Sequence, residues 1–250
     1  MDELLQFHGP LTLVAVCVIA FVTSAIHGAT GVAGGFLLSA ALAPIIGVAP
    51  IVPVVSVSLL ISHGSRALLN LGEFNRTVFL AIAVPAVPCI VLMALVYGRL
   101  SSSLIALILG CVILLSIPVR RWAKRRQIRS SPRTLNVVGA GYGLLAGVSI
   151  GPGMLLVPFM LGYGLKKEAF VATLAGIALL TNITRVSVYG ATDLLSSQYV
   201  LLGIVCGVMT IPGNWIGRTV LRHMTNEHHA GLVDVLTVLG ALNFFWLATR

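Results

Sequence analysis

Two five-residue runs carry the side chains with the most chemistry to offer. Ser62-His63-Gly64-Ser65-Arg66 and Thr181-Asn182-Ile183-Thr184-Arg185 share one pattern: a hydroxyl residue, His or Asn, any residue, a hydroxyl residue, then Arg. Each run lies inside an apolar stretch. An arginine there is costly to insert and marks a functional path or an internal partner. Its planar fork of donors suits oxyanions such as sulfite, sulfonate or carboxylate. Neither stretch holds an Asp or Glu, which leaves a bound anion as the natural partner. The competing reading is snorkelling, because each Arg lies roughly 6 to 8 Å from the end of its segment at 1.5 Å per residue. The equivalent placement of Arg66 and Arg185 favours binding.

One turn deeper sit Ser62, His63, Thr181 and Asn182. Small hydroxyl and amide groups in membrane helices either line a site or bond a neighbouring helix, and both readings stay open. His63 stands apart because it titrates near neutral pH. His27 has no counterpart in the second half and is expected to pack.

A second pair of motifs precedes the first. Gly34-Gly35-Phe36-Leu37-Leu38 matches Pro152-Gly153-Met154-Leu155-Leu156, each after a glycine-punctuated helix end (Gly28 and Gly31; Gly147 and Gly151). Two matches in the same order at nearly the same offset indicate an internal duplication. The glycines serve either close helix packing or a helix break. In the second case Gly34, Gly35, Gly151 and Gly153 place freed N–H groups and a helix dipole before an anion. A break followed by a short helix fits the discontinuous helices of transporters.

These residues need elements that can hold them in lipid. Of the 250 residues, 58% are hydrophobic and only 9% charged, with a mean hydropathy of +1.02. An ordinary soluble domain carries about 25% charged residues, so a soluble enzyme is excluded, as is a disordered chain. Gly, Pro and charges divide the sequence into ten apolar segments: Leu11 to Gly28, Gly34 to Gly47, Ile51 to Leu71, Thr77 to Tyr97, Leu104 to Val119, Leu135 to Ser149, Gly153 to Gly164, Ala169 to Tyr189, Tyr199 to Val220 and Gly231 to Ala248. All read as helices, since an open strand cannot satisfy its backbone in lipid and barrel alternation is absent. The fold class is an all-α, polytopic membrane protein of two related five-segment repeats, residues 1–119 and 134–250.

Between the repeats, residues 120–133 carry Arg120, Arg121, Lys124, Arg125, Arg126, Arg129 and Arg133, a large share of the net charge of +9. The positive-inside rule reads this as a cytoplasmic loop rather than a nucleic-acid patch. The Lys166-Lys167 and Arg218/Arg222 loops then fall inside, and the Asp193 loop and both termini outside. An odd number of segments per half makes the second copy inverted. Gly34 to Gly47 and Gly153 to Gly164, at about 12 to 14 residues, are short for full spans; if both re-enter, the repeat is parallel instead. Asp2 and Glu3 replace the positive charge of a signal peptide, so the first segment is expected to be retained.

A glycine-rich break running into Gly-Gly-x-Leu-Leu or Gly-x-Leu-Leu-Val-Pro (Gly151 to Pro158), repeated around a basic centre, resembles the TauE/SafE family of sulfite exporter-like permeases over essentially the whole chain. Pro158 stands where the first half has Ala40, so the second half is the better match. The resemblance implies an inner-membrane permease for small sulfur-containing or organic anions, without naming one.

Other motifs do not survive their context. Gly147-Val148-Ser149-Ile150-Gly151 fits G-x-S-x-G, but a nucleophile elbow needs a soluble sheet and an activating His. Asn182-Ile183-Thr184 fits a glycosylation acceptor but lies in an apolar segment. Cys17, Cys89, Cys111 and Cys206 are scattered through apolar segments without metal or disulfide spacing. No cofactor, metal or nucleic acid is expected, and the partners are a small anion and the bilayer; association of copies is left open. The expected function is secondary transport of a small anion, with export favoured. The alternative class, a membrane-embedded enzyme or assembly factor, lacks its acid, base or nucleophile. With five spans per half, a reporter fused after Arg126 should read cytoplasmic and one near Asp193 periplasmic. A periplasmic Lys166-Lys167 link would overturn the inverted repeat in favour of a four-span parallel one.

Overall fold

In a computed structural model, residues 2–30, 34–68, 71–126, 128–221 and 226–249 are described, and α-helix dominates them throughout. Ten helices match the ten apolar segments one for one. They are α1 (Asp2–Thr30), α2 (Gly34–Ile46), α3 (Ile51–Leu68), α4 (Arg76–Tyr97), α5 (Ser102–Arg126), α6 (Pro132–Ala146), α7 (Gly153–Gly162), α8 (Lys167–Ala191), α9 (Ser197–Leu221) and α10 (Asn226–Ala248). No strand occurs among the described residues. α1 is interrupted at Gly9, whose φ of +71° only glycine adopts readily, before Pro10 opens its membrane-length part.

Length sorts the helices. Portions of α1, α4, α5, α8 and α9 are long and apolar enough to cross a bilayer. With 13 and 10 residues, α2 and α7 reach only about 20 and 15 Å at 1.5 Å per residue. A hydrocarbon core of about 30 Å is twice the length of the shorter one. Both short helices sit where the glycine motifs placed them.

One boundary differs from expectation. The first part of the basic cluster, Arg120 to Arg126, continues α5 as helix rather than forming a loop. Interactions with its own helix and with α10 account for this: Arg120 Nε donates to the Ser116 carbonyl at 3.2 Å. Arg120 and Arg121 also clasp the two oxygens of Asp234 on α10 at 2.9 and 2.7 Å.

The helix pairings repeat between the halves. The main contacts of the first five helices have counterparts five helices later: α1 on α9 with α6 on α4, α3 on α9 with α8 on α4, α1 on α2 with α6 on α7, α2 on α3 with α7 on α8, and α2 on α10 with α7 on α5; the smaller contact of α1 with α10 has none of comparable extent. The pairs α3 with α8 and α5 with α10 map onto themselves. The two short helices end at different places. Ser130 N–H donates to the Gly162 carbonyl at 3.0 Å, tying the end of α7 beside the start of α6 and the basic cluster. Tyr97 OH donates to the Ala49 carbonyl at 2.8 Å, tying the α2–α3 link to the far end of α4.

In lipid no hydrophobic force draws helices together, so packing depends on close backbone approach through small residues. Along α6, Gly139, Gly143 and Gly147 supply it against α4. A Cβ on Gly139 would stand 2.6 Å from the Ile82 carbonyl oxygen and one on Gly147 2.8 Å from that of Ile90, while one on Gly143 would strike the Ala86 carbonyl. Gly141, on the other side of the helix, meets nothing within 4 Å. Gly143→Leu should therefore destroy the monodisperse peak of detergent-solubilised protein in size-exclusion chromatography, overpacking costing about 1–3 kcal/mol or more. Gly141→Ala should leave that peak unchanged.

Candidate functional site

Along one face of α8, three side chains one turn apart grip α6 and the break that follows it. Thr181 Oγ1 lies 2.9 Å from Tyr142 OH, Arg185 Nη1 donates to the Ser149 carbonyl at 2.8 Å, and Tyr189 OH donates to the Gly147 carbonyl at 2.7 Å. Residues spaced by four share a helix face, so one face of α8 holds the whole turn from the end of α6 to the start of α7. The bonds from Arg185 and Tyr189 satisfy carbonyls that the end of α6 leaves without helical partners.

The turn itself is built by Gly151, whose φ of +99° is open to glycine alone at little cost. Pro152 then precedes α7 and gives it no side-chain cap. Met154 and Leu155 N–H are taken by the Gly151 and Pro152 carbonyls at 3.1 and 2.9 Å. The N–H of Gly153 is left as the first donor of a helix whose dipole adds positive potential there.

Arg185 is 4% exposed. Besides Ser149, its Nη2 donates to Asn182 Oδ1 at 2.7 Å, and Asn182 is oriented by its own Nδ2 bond to the Ala178 carbonyl at 2.7 Å. Arg185 Nε is buried and finds no partner. Both ion pairs among the described residues go to Asp234, at Arg120 and Arg121, so no carboxylate faces Arg185 there. A cation out of water without a counter-ion is strongly penalised, and an anion is the kind of ligand that would answer it.

A cavity of about 80 Å³ opens beside it, lined by Arg185, Asn182, Thr181, Tyr142, the Ile150–Met154 turn, Gly35, His63 and His27, with Leu59, Val171 and Leu174 among its apolar walls. Drug-sized pockets run to about 300–1,000 Å³; this one fits a small ion. The two glycine motifs meet at it, since a Cβ on Gly35 would stand 3.0 Å from Ile150 Cγ2.

Of the residues singled out in sequence, His63, Thr181, Asn182, Arg185, Gly35, Gly151 and Gly153 are thus brought together at one cavity. Ser62 faces away, its Oγ accepting from Asn214 Nδ2 of α9 at 3.2 Å. Gly34 lies behind the lining, where its N–H donates to His27 Nδ1 at 2.9 Å and a Cβ would run into the His27 ring. The side chain of Arg66, and Gly31, lie outside the described residues. Two polar lining residues were not assigned to the site in sequence. His27, expected to pack, caps α2 and meets His63 edge-on with ring centroids 6.3 Å apart. Tyr142 carried no signal except its place before Gly143 on α6.

The fold and the cavity together define a polytopic helical membrane protein with a buried cation, without a carboxylate partner among the described residues, facing a small cavity of mixed polar and apolar walls. The sequence matches the sulfite exporter TauE/SafE family over residues 16–244, and the chain belongs to that family. The family is one of membrane transporters for sulfite or related anions. No curated protein and no solved structure matches the chain.

Proposed function

We propose that the protein is a secondary transporter of the inner membrane that exports a small oxyanion, such as sulfite, a sulfonate or another organic anion, through the Arg185 cavity. The observation that carries this reading is the buried Nε of Arg185, without a protein acceptor beside a helix start that no side chain caps. Substrate oxygens would take the guanidinium edge that Ser149 and Asn182 leave over, and the Gly153 N–H. Arg66 is proposed as the matching contact from the first half.

Two inverted halves suit this task, because two related bundles rocking around a fixed central site give alternating access. The repeated helix pairings support a duplication. The inverted reading is supported by the ends of the short helices: α7 finishes beside the basic cluster at Ser130, and α2 leads to a link held at the far end of α4 by Tyr97. A negative interior drives anions outward at about 2.3 kcal/mol per charge per 100 mV, so export requires no carboxylate relay. Among the described residues the cavity lining holds none.

Proteoliposomes test the reading. Arg185→Ala should abolish uptake of sulfite or methanesulfonate driven by an imposed potential while insertion stays intact. Arg185→Lys should rescue poorly, because a lysine cannot keep the Ser149 and Asn182 bonds and also present a fork. Wild-type rates in the Ala variant would refute the site. His63→Asn, which copies Asn182 of the second half, should leave transport active but flatten any pH dependence between about 5 and 8. An unchanged pH profile in that variant would remove His63 from proton coupling.

A further inference from the structure

The cavity follows a track along α8. Val171, Leu174, Ala178, Asn182 and Arg185 line it at intervals of about one helical turn. Val171, Leu174 and Ala178 are partly exposed, Ala175 between them is buried, and Asn182 and Arg185 are buried. The lining thus extends from Arg185 towards the end of α8 that starts at Lys167.

One turn beyond Arg185 the same face carries Tyr189, 0% exposed, with its ring centroid 5.3 Å from that of Tyr97, itself 2% exposed. Leu194 covers the pair's outer side, and its side chain would lie 3.2 Å from a Cβ on Gly98. The hydroxyls are tied within their own halves: Tyr97 to the Ala49 carbonyl at 2.8 Å and Tyr189 to that of Gly147 at 2.7 Å. Between these two residues the ring contact joins one half to the other, within the wider packing of α4 on α6 and α8. Each hydroxyl bonds a carbonyl rather than the other tyrosine, so parting the rings breaks apolar contact and no hydrogen bond between them.

We propose that Tyr97 and Tyr189 form the gate that shuts the anion cavity on the face of the Asp193 loop, and that the conformation described here is open towards the Lys166–Lys167 link. The inference rests on the transport reading above. At the offset aligning Arg66 with Arg185, Tyr189 corresponds to Asn70 and Tyr97 to Ile216. The opposite face thus carries no matching aromatic pair in sequence, and Ile216 is 42% exposed.

Cysteine accessibility tests the gate. The probe is Ala178→Cys in a chain with Cys17, Cys89, Cys111 and Cys206 replaced by Ala, reacted with a membrane-impermeant maleimide in vesicles of either orientation. Lys166→Cys and Asp193→Cys mark the two faces. Labelling should be about tenfold faster from the Lys166 face than from the Asp193 face, reporting the population of the closed gate. Tyr97→Ala with Tyr189→Ala should remove the difference, whereas Tyr97→Phe with Tyr189→Phe should largely keep it, because the rings remain. Equal labelling from both faces in the parent, or an asymmetry that survives the double Ala change, would overturn the gate. The parent comparison decides even where the double Ala chain fails to fold. Methanesulfonate, inert towards maleimide, should slow the labelling of Ala178→Cys. Intact asymmetry without that protection would refute the anion site and leave the gate standing.

Discussion

A guanidinium buried in a membrane without a carboxylate is the constraint around which the second half of this protein is arranged. Arg185 cannot stay there bare, and two of its donors are met by the Ser149 carbonyl and Asn182 Oδ1. The Ser149 carbonyl is available only because α6 has ended; inside a continuous helix it would accept from a residue one turn on. The break and the arginine therefore require each other. Gly151, with its positive φ, makes the turn, and Thr181 and Tyr189 hold it from one turn on either side. What this scaffold leaves unmet, Arg185 Nε, adjoins the cavity.

Much of this was legible in the sequence because lipid imposes coarse rules. Hydropathy and glycine punctuation gave ten segments that correspond to ten helices, and the paired motifs gave Arg185, Asn182, Gly35 and Gly153 a common place. Partner choice was less legible. Ser62 and His63 are adjacent on α3, so they point about 100° apart around a helix of 3.6 residues per turn, and nothing local says which of them meets the cavity. Ser62 turns to Asn214, a residue of α9 distant in sequence. The extent of α5 was missed because Arg residues read as loop until a carboxylate on another helix is known to neutralise them. Asp234 does so.

His27 illustrates a different limit. Its lack of a repeat partner made it look like packing, yet that lack is what separates the two halves at the cavity. Both halves bring a short helix start to the same place. At α2 the Gly34 N–H is occupied by His27 Nδ1; at α7 the start is uncapped by any side chain. An imidazole nitrogen that accepts this bond is unprotonated, so the ring brings no charge to the first helix start. The two related halves thus differ at their short-helix starts, and on the proposed reading a single anion would lie at the α7 start.

Release is the harder half of transport, because a site that needs its anion to neutralise a buried charge would hold it indefinitely. Here the protein retains part of the solvation that the anion would otherwise supply. On the proposed reading, Arg185 would keep its bonds to Ser149 and Asn182 when the anion leaves, and Asn182 would stay oriented by Ala178. The charge is never stripped of all its acceptors, so the difference between occupied and vacant states is limited to the Nε edge, the Gly153 N–H and the water that enters in exchange. Favourable entry with affordable exit is the general requirement of a conducting site. A carboxylate beside Arg185 would have met the charge permanently and closed the site to anions.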